Sequence, residues 1–122
     1  MDAKEMLLKE KLDNLLAQAS KAAAELQALK QGDSTPHFDD IELPAHDMGK
    51  RLSRAIQEER AREVALAELK GTRCIDCNQL CKIEIEIRNV NSMDGPIELT
   101  EPVANCRRCR RSFFPSACRT RV

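Results

Sequence analysis

Apolar residues recur through the first 31 positions at alternating spacings of four and three, the period of one face of an α-helix. The stripe consists of Leu8, Leu12, Leu15, Ala19, Ala22, Leu26 and Leu29. Asp2 precedes it as a suitable N-cap, and Gly32 follows it where helices commonly stop. The pattern therefore predicts a helix over about residues 3–31.

The same spacing is that of a coiled-coil heptad, so this helix is expected to pack on another helix. A parallel homodimer would bring Lys4 of one chain near Lys9 of the other, which is a like-charge contact. Pairing within the chain is therefore the preferred interpretation. A homodimer, or another protein partner bound through the helices, remains an alternative.

A second helical pattern follows a segment of turn-forming residues. Residues 32–47 contain two prolines and several acids and are predicted to form a loop. Beyond them, apolar positions recur over about residues 48–70, with Asp47 as N-cap and Gly71 as the stop. Helix, loop and helix together predict a helical hairpin over residues 1–70.

The period then changes to two, which is typical of a half-buried strand. Ile83, Ile85 and Ile87 alternate with charged residues, and Ile97, Leu99 and Val103 alternate again after Asp94-Gly95. A β-hairpin with its corner at Asp94-Gly95 is predicted. Pro102 has no N–H to donate, so the second strand is expected to be an edge strand or to end there.

Two Cys-x-x-Cys pairs bracket this hairpin, Cys74 with Cys77 and Cys106 with Cys109. Two residues between paired cysteines let one tight turn supply two thiolates, and Zn²⁺ takes four such ligands in a tetrahedron. The spacing predicts a structural zinc ribbon. A disulfide framework is the less favoured interpretation. Cys81 and Cys118 lie outside the quartet. Cys81, four residues after Cys77, is close enough to compete as a ligand, and the alternative is that either cysteine is a spare thiol.

Together, these patterns predict an α+β fold. Its parts are the helical hairpin of residues 1–70, a zinc-ribbon β-hairpin domain of residues 71–115, and a tail of residues 116–122. No stretch approaches the ~20 apolar residues that span a bilayer, and no signal peptide is recognisable. A cytoplasmic protein is expected.

Charge is distributed unevenly along a chain whose formal net charge is zero. Residues 1–70 carry 11 Lys and Arg against 14 Asp and Glu, a net of −3, whereas residues 71–122 carry 9 against 6, a net of +3. Four arginines lie beside the second cysteine pair: Arg107, Arg108, Arg110 and Arg111. Their density suggests contact with nucleic-acid phosphates, although arginines also offset the −2 charge of a tetrathiolate zinc site.

The segment from Cys74 to Pro115, above all the string DGPIELTEPVANCRRCRRSFFP, resembles the zinc-binding head of bacterial DDE-type insertion-sequence transposases of the ISKra group. The resemblance covers about a third of the chain. It implies that the four paired cysteines are metal ligands and that Phe113-Phe114-Pro115 leads into the rest of the protein. The chain stops seven residues after Pro115, and no carboxylate follows Glu101, so the resemblance implies a head truncated before the catalytic domain.

These observations favour a non-catalytic zinc-ribbon module that binds DNA weakly. A closed Cys₄ site leaves no open coordination position for hydrolysis, so neither an enzyme nor a small-molecule substrate is expected. The alternative is a protein-interaction adaptor that uses the helical hairpin, in the manner of a regulator that binds RNA polymerase. Asp39 and Asp40 in the loop would then be candidate contacts.

Overall fold

A computed structural model describes residues 2–115, and the predicted tail with Cys118 lies outside the described residues. The order of elements is two α-helices, a short 3₁₀ helix and four β-strands, which confirms the α+β prediction. The helices are α1 (Ala3–Gln31), α2 (Phe38–Ala67) and the 3₁₀ helix Glu68–Lys70. The strands are β1 (Thr72–Arg73), β2 (Leu80–Ser92), β3 (Gly95–Cys106) and β4 (Arg111–Phe113). The chain divides into two compact units, Met1–Met48 and Gly49–Val122.

Helix α1 has the bounds that the periodicity predicts. The Asp2 carboxylate accepts a hydrogen bond from the Glu5 N–H at 2.7 Å, and Gly32, with φ +67°, donates its N–H to the Ala28 carbonyl at 3.2 Å. However, no residue of α1 is buried. The expected burial of its apolar stripe against a second helix is therefore not found.

Helix α2 begins ten residues earlier than the sequence predicts, so most of the predicted loop is helical. The main reason for the discrepancy is Pro44, which lies inside the helix. A helical proline lacks the N–H that would bond the carbonyl four residues before it, which here is Asp40. The side chain of Gln31 donates to that carbonyl at 3.0 Å and so satisfies it. Asp40 also accepts the His37 N–H at 3.1 Å, which helps to start the helix.

The part of α2 within the second unit has one face that is partly or fully buried at helical spacing. Its members are Ser53, Arg54, Gln57, Glu58, Ala61, Val64 and Ala65. This face contacts the far end of the β2–β3 hairpin: Arg54 Nη1 donates to the Asp94 carbonyl at 3.1 Å, and Glu58 accepts the Glu98 N–H at 2.8 Å. The second contact satisfies a backbone donor that no neighbouring strand reaches.

The four strands form one antiparallel sheet in the order β1-β2-β3-β4. Strands β2 and β3 pair from Lys82↔Asn105 to Ser92↔Gly95, which confirms the predicted hairpin. Its corner is Met93-Asp94, one residue earlier than the predicted Asp94-Gly95, because Gly95 already pairs with Ser92. Pro102 lies within β3 opposite Ile85, where β4 does not reach, because β4 pairs only with Ala104–Cys106. The strand is thus an edge at Pro102 but does not end there.

The core of the sheet lies at its base, where β1 and β4 flank the hairpin. It consists of Cys74, Cys81, Ile83, Ala104 and Cys106, with Phe113 packed against it. Further out, beyond the reach of the short flanking strands, Ile85 and Ile87 are 36% and 66% exposed. The alternation predicted for β2 is therefore correct, but of its three isoleucines only Ile83 is buried.

Candidate metal centre

The two cysteine pairs form turns with the same backbone plan. After the second cysteine of each pair stands a residue with a left-handed backbone, Asn78 with φ +58° and Arg110 with φ +53°. The Cys74 N–H donates to the Gln79 carbonyl at 2.9 Å, and Cys106 pairs with Arg111 in the equivalent way, five residues on. Each turn thus reverses the chain and presents two sulfur atoms on its inner side.

The sheet brings the two turns together, since β2 follows the first turn and β3 ends at the second. The Sγ atoms of Cys74, Cys77, Cys106 and Cys109 all lie within 4.8 Å of one another. Cys74 Sγ is 3.8 Å from Cys109 Sγ, and Cys77 Sγ is 3.5 Å from Cys106 Sγ. The four predicted ligands therefore form one cluster that is able to hold a metal ion.

These separations distinguish metal binding from disulfide bonding. A tetrahedron with metal–sulfur bonds of ~2.3 Å has sulfur–sulfur edges of about 3.8 Å, close to both measured distances. A disulfide requires about 2.05 Å, and all five cysteines of the described residues are free. The cluster of four free thiols is therefore compatible with a metal site.

The electrostatics of the cluster favour a thiolate at Cys106. The backbone N–H of Cys109 donates to Cys106 Sγ at 3.4 Å and lowers the pKa of that thiol to about 6. Hydrogen bonds between the Cys109 thiol and the sulfur atoms of Cys77 and Cys74 raise the pKa of Cys109 to about 12, with burial adding to the effect. The pKa of Cys106 is thus shifted down and that of Cys109 up, so Cys106 is the cysteine of the second pair that favours the thiolate.

Cys81 is adjacent to the cluster but is not part of it. It is 3% exposed, and its thiol contacts the Gln79 carbonyl at 3.4 Å. Burial is the main cause that raises its pKa. The structure thus places Cys81 in the core beside the four predicted ligands.

The four predicted nucleic-acid-binding arginines are all exposed, three in the second turn and Arg111 at the start of β4. Arg111 forms an ion pair with Asp76, which lies inside the first turn. The side chains of Arg107, Arg108 and Arg110 have no hydrogen-bond or ion-pair partner among residues 2–115. The ion pair of Asp76 with Arg111 was not predicted from the sequence, because the cysteine spacing brings the two turns together but does not indicate which of their other side chains meet.

No protein-family profile, curated protein or solved structure matches this chain. The fold and the cysteine cluster therefore define its class directly: an α+β chain that carries a compact four-cysteine centre at the base of a small antiparallel sheet. Within residues 2–115, no helix has both the length and the apolar character needed to cross a membrane.

Proposed function

We propose that this chain is a non-catalytic zinc-ribbon module that binds nucleic acid through the arginines beside its second cysteine turn. Zinc is the metal favoured, because four thiolates in a tetrahedron are the typical set for a structural Zn²⁺ site. Cys74, Cys77, Cys106 and Cys109 would hold the ion and fix the base of the sheet. With four protein ligands, no coordination position is left for a substrate or an attacking water.

The observation that carries the nucleic-acid proposal is the exposure of Arg107, Arg108 and Arg110 on one short turn without acidic partners. A tetrathiolate zinc site has a net charge of −2, and nearby guanidinium groups are able to offset it. Arg111 pairs with Asp76, so the guanidinium groups available to phosphates are those of Arg107, Arg108 and Arg110. Guanidinium groups bind phosphate oxygens in bidentate fashion, and a metal-anchored turn would present them rigidly.

The experiment is fluorescence anisotropy with a labelled DNA duplex over a series of salt concentrations. Neutralising three phosphates, one for each of Arg107, Arg108 and Arg110, gives a slope of log K against log salt of about −2.7. Replacing Arg108 and Arg110 together by glutamine should reduce the magnitude of this slope by about 1.8. The matched control, Lys9→Gln with Lys11→Gln, removes the same charge from α1 and should leave the slope unchanged. Absence of binding by the wild-type chain at low salt would contradict the proposal.

The resemblance to the zinc-binding head of ISKra-group transposases supports a mobile-element origin and a cytoplasmic location for this module. The cysteines that carry the resemblance are the same four that cluster at the base of the sheet. The origin is tested by sequencing the genomic DNA next to the gene. A reading frame for a DDE transposase, in phase or shifted, is the expected result, and unrelated flanking genes would count against it.

A second candidate function, that of a protein-interaction adaptor, is favoured by the surface of α1. Its stripe leucines are large, apolar and exposed, with 55% exposure at Leu12, 46% at Leu26 and 82% at Leu29. Such a stripe at heptad spacing fits a helix of a partner protein or of a second copy. Sedimentation of the wild-type chain and of a Leu12→Gln, Leu26→Gln variant tests the second-copy case. Concentration-dependent association lost in the variant is expected.

A further inference from the structure

A cleft of about 430 Å³ opens beside the cysteine cluster, where the end of the 3₁₀ helix meets the base of the sheet. The 3₁₀ helix contributes Leu69 and Lys70, the start of β2 contributes Leu80 and Lys82, and the second turn contributes Arg107. Its volume lies within the roughly 300–1,000 Å³ typical of ligand sites. The cleft is therefore large enough to receive a group the size of a small-molecule ligand.

The charge of this cleft is wholly positive. Lys70, Lys82 and Arg107 line it, and no aspartate or glutamate does. This is notable in a chain with 20 basic and 20 acidic residues. None of the three side chains forms a hydrogen bond or an ion pair within the described residues 2–115. Three unpaired cations around a concave surface focus a positive potential, which attracts an anionic ligand.

Apolar side chains lie beside these cations. Leu69 and Leu80 are 48% and 64% exposed, although both belong to the lining of a concave surface. The remaining lining residues are Gly71, Gln79, Cys81, Ile83 and Asn105. A ligand that suits this mixture has an anionic group for the cations and a flat apolar part for the leucines, as a nucleotide has.

The second cysteine turn with its arginines, residues 107–111, is called the arginine turn below. Arg107 connects it to the cleft, because Arg107 lines the cleft and is also the first residue of this turn. A polymer of nucleotides would follow both surfaces, whereas a free anion would need only one. A duplex would offer its phosphates to the turn, but its paired bases are not available to Leu69 and Leu80. An unpaired strand has bases that are free to turn into the cleft.

We propose that this cleft binds one nucleotide of a single-stranded nucleic acid, with the phosphate held by Lys70, Lys82 and Arg107 and the base against Leu69 and Leu80. The proposal rests on the nucleic-acid binding proposed above and specifies the form of the ligand. Two surfaces then act together: the arginine turn contacts the backbone of either form, and the cleft selects the single strand.

The experiment compares a labelled single-stranded oligonucleotide with the duplex of the same sequence, by anisotropy over a salt series. The test variant is Lys70→Gln with Lys82→Gln, because both lysines are exposed and lie outside the arginine turn. The matched control is Lys9→Gln with Lys11→Gln in α1. Far-UV circular dichroism and zinc content show that each variant is folded.

We expect the wild-type chain to prefer the single strand. In the Lys70, Lys82 variant, the single-strand slope should fall in magnitude by about 0.7, the contribution of the one phosphate that the cleft holds. Single-strand affinity near 0.1 M salt should drop roughly fivefold, and duplex affinity should change no more than in the control. Leu80→Ala should weaken single-strand binding several-fold while leaving its salt slope unchanged.

These measurements distinguish failure of the cleft proposal from failure of the proposed nucleic-acid binding. A wild-type chain that binds nucleic acid, with a Lys70, Lys82 variant indistinguishable from the α1 control, would overturn the cleft proposal and leave the arginine turn as the binding surface. Equal loss of single-strand and duplex affinity in that variant would also overturn it, because the cleft would then act only as added charge. A wild-type chain that binds neither form would overturn the proposed function itself.

Discussion

Asn78 and Arg110 have nearly the same left-handed backbone, with φ +58° and +53°, and each directly follows the second cysteine of its pair. The two turns are therefore built alike, although their sequences, CIDCN and CRRCR, share only the cysteines. Asparagine enters this region readily, whereas the longer side chain of arginine makes it costly. The second turn thus contains backbone strain that the first turn avoids.

Replacing Arg110 by asparagine should therefore make the second turn easier to form. The relief is on the order of 0.5–1 kcal/mol, which corresponds to a rise in zinc affinity of about two- to fivefold. Competition with a chromophoric chelator measures this affinity. Intrinsic fluorescence is not an alternative readout, because the chain has no Trp or Tyr. Arg108→Asn removes the same charge at a position without positive φ, and an equal rise there would contradict the explanation.

Sequence periodicity is sufficient to predict α1, the β2–β3 hairpin and the four-cysteine set, because each depends on local spacing. It fails at α2, where Pro44 suggests a loop and the structure instead has a helix, with the Gln31 side chain donating to the Asp40 carbonyl that Pro44 leaves without a helical partner. The cleft was not predictable either, because Lys70 and Lys82 are distant from Arg107 in the sequence and are brought together by strand pairing. A single lysine in a sequence does not indicate a binding site until the pairing of the strands shows which residues are its neighbours.

The β2–β3 hairpin has an unfavourable pairing, because Glu86 lies directly opposite Glu101. Arg88 compensates by donating from Nε and Nη2 to the two carboxylate oxygens of Glu101 at 3.0 and 2.7 Å, and this contact raises the pKa of the Arg88 guanidinium. Glu86→Gln should stabilise the hairpin by about 0.2–1 kcal/mol, since it removes a like-charge pair. Hydrogen exchange of the hairpin amides measures the change.

Glu84→Gln provides the control for this prediction. Glu84 lies on the same face of β2, but its partner is Val103 rather than an acid. The same chemical change there should leave protection of the hairpin nearly unaltered. Equal stabilisation by both variants would mean that the overall charge of the strand matters, not the pairing with Glu101.

The ion pair between Asp76 and Arg111 should limit nucleic-acid binding by the second turn. Asp76→Asn frees the Arg111 guanidinium, so the duplex salt slope should become steeper by about 0.9, the contribution of one phosphate. Asp13→Asn makes the same charge change on α1 and should leave the slope as it is. If Asp76→Asn weakens binding instead, the ion pair positions Arg111 for its contact rather than competing with it.

Removing the metal should unfold the base of the sheet and leave α1 intact. The buried core there consists largely of the ligand region itself, whereas α1 has its own caps at Asp2 and Gly32. Native mass spectrometry should show one zinc per chain, lost with a chelator, and helical circular dichroism should largely persist. Cys106→Ser should prevent zinc binding, but Cys81→Ala should retain it, because Cys81 lies outside the four-sulfur cluster.

Zinc uptake should release fewer than four protons per ion near pH 7.5. Metal ligands must be deprotonated, but the Cys109 N–H lowers the pKa of Cys106 to about 6, so that thiol has already ionised. Cys109, with its pKa raised to about 12, must lose its proton to the metal. Calorimetric titration in buffers of different ionisation enthalpy counts these protons.

The stability of the metal-free fold should depend on pH through the thiols of Cys106 and Cys109. The lowered pKa of Cys106 stabilises the metal-free fold above pH 9, and this contribution is lost as the pH falls through about 6. The raised pKa of Cys109 acts in the opposite direction: its contribution is present below pH 9 and is lost as the pH rises through about 12. Acidification below pH 6 should therefore add one proton to the number released on zinc binding. A count of four at pH 7.5 that does not change on acidification would show that the Cys109 N–H does not hold Cys106 as a thiolate.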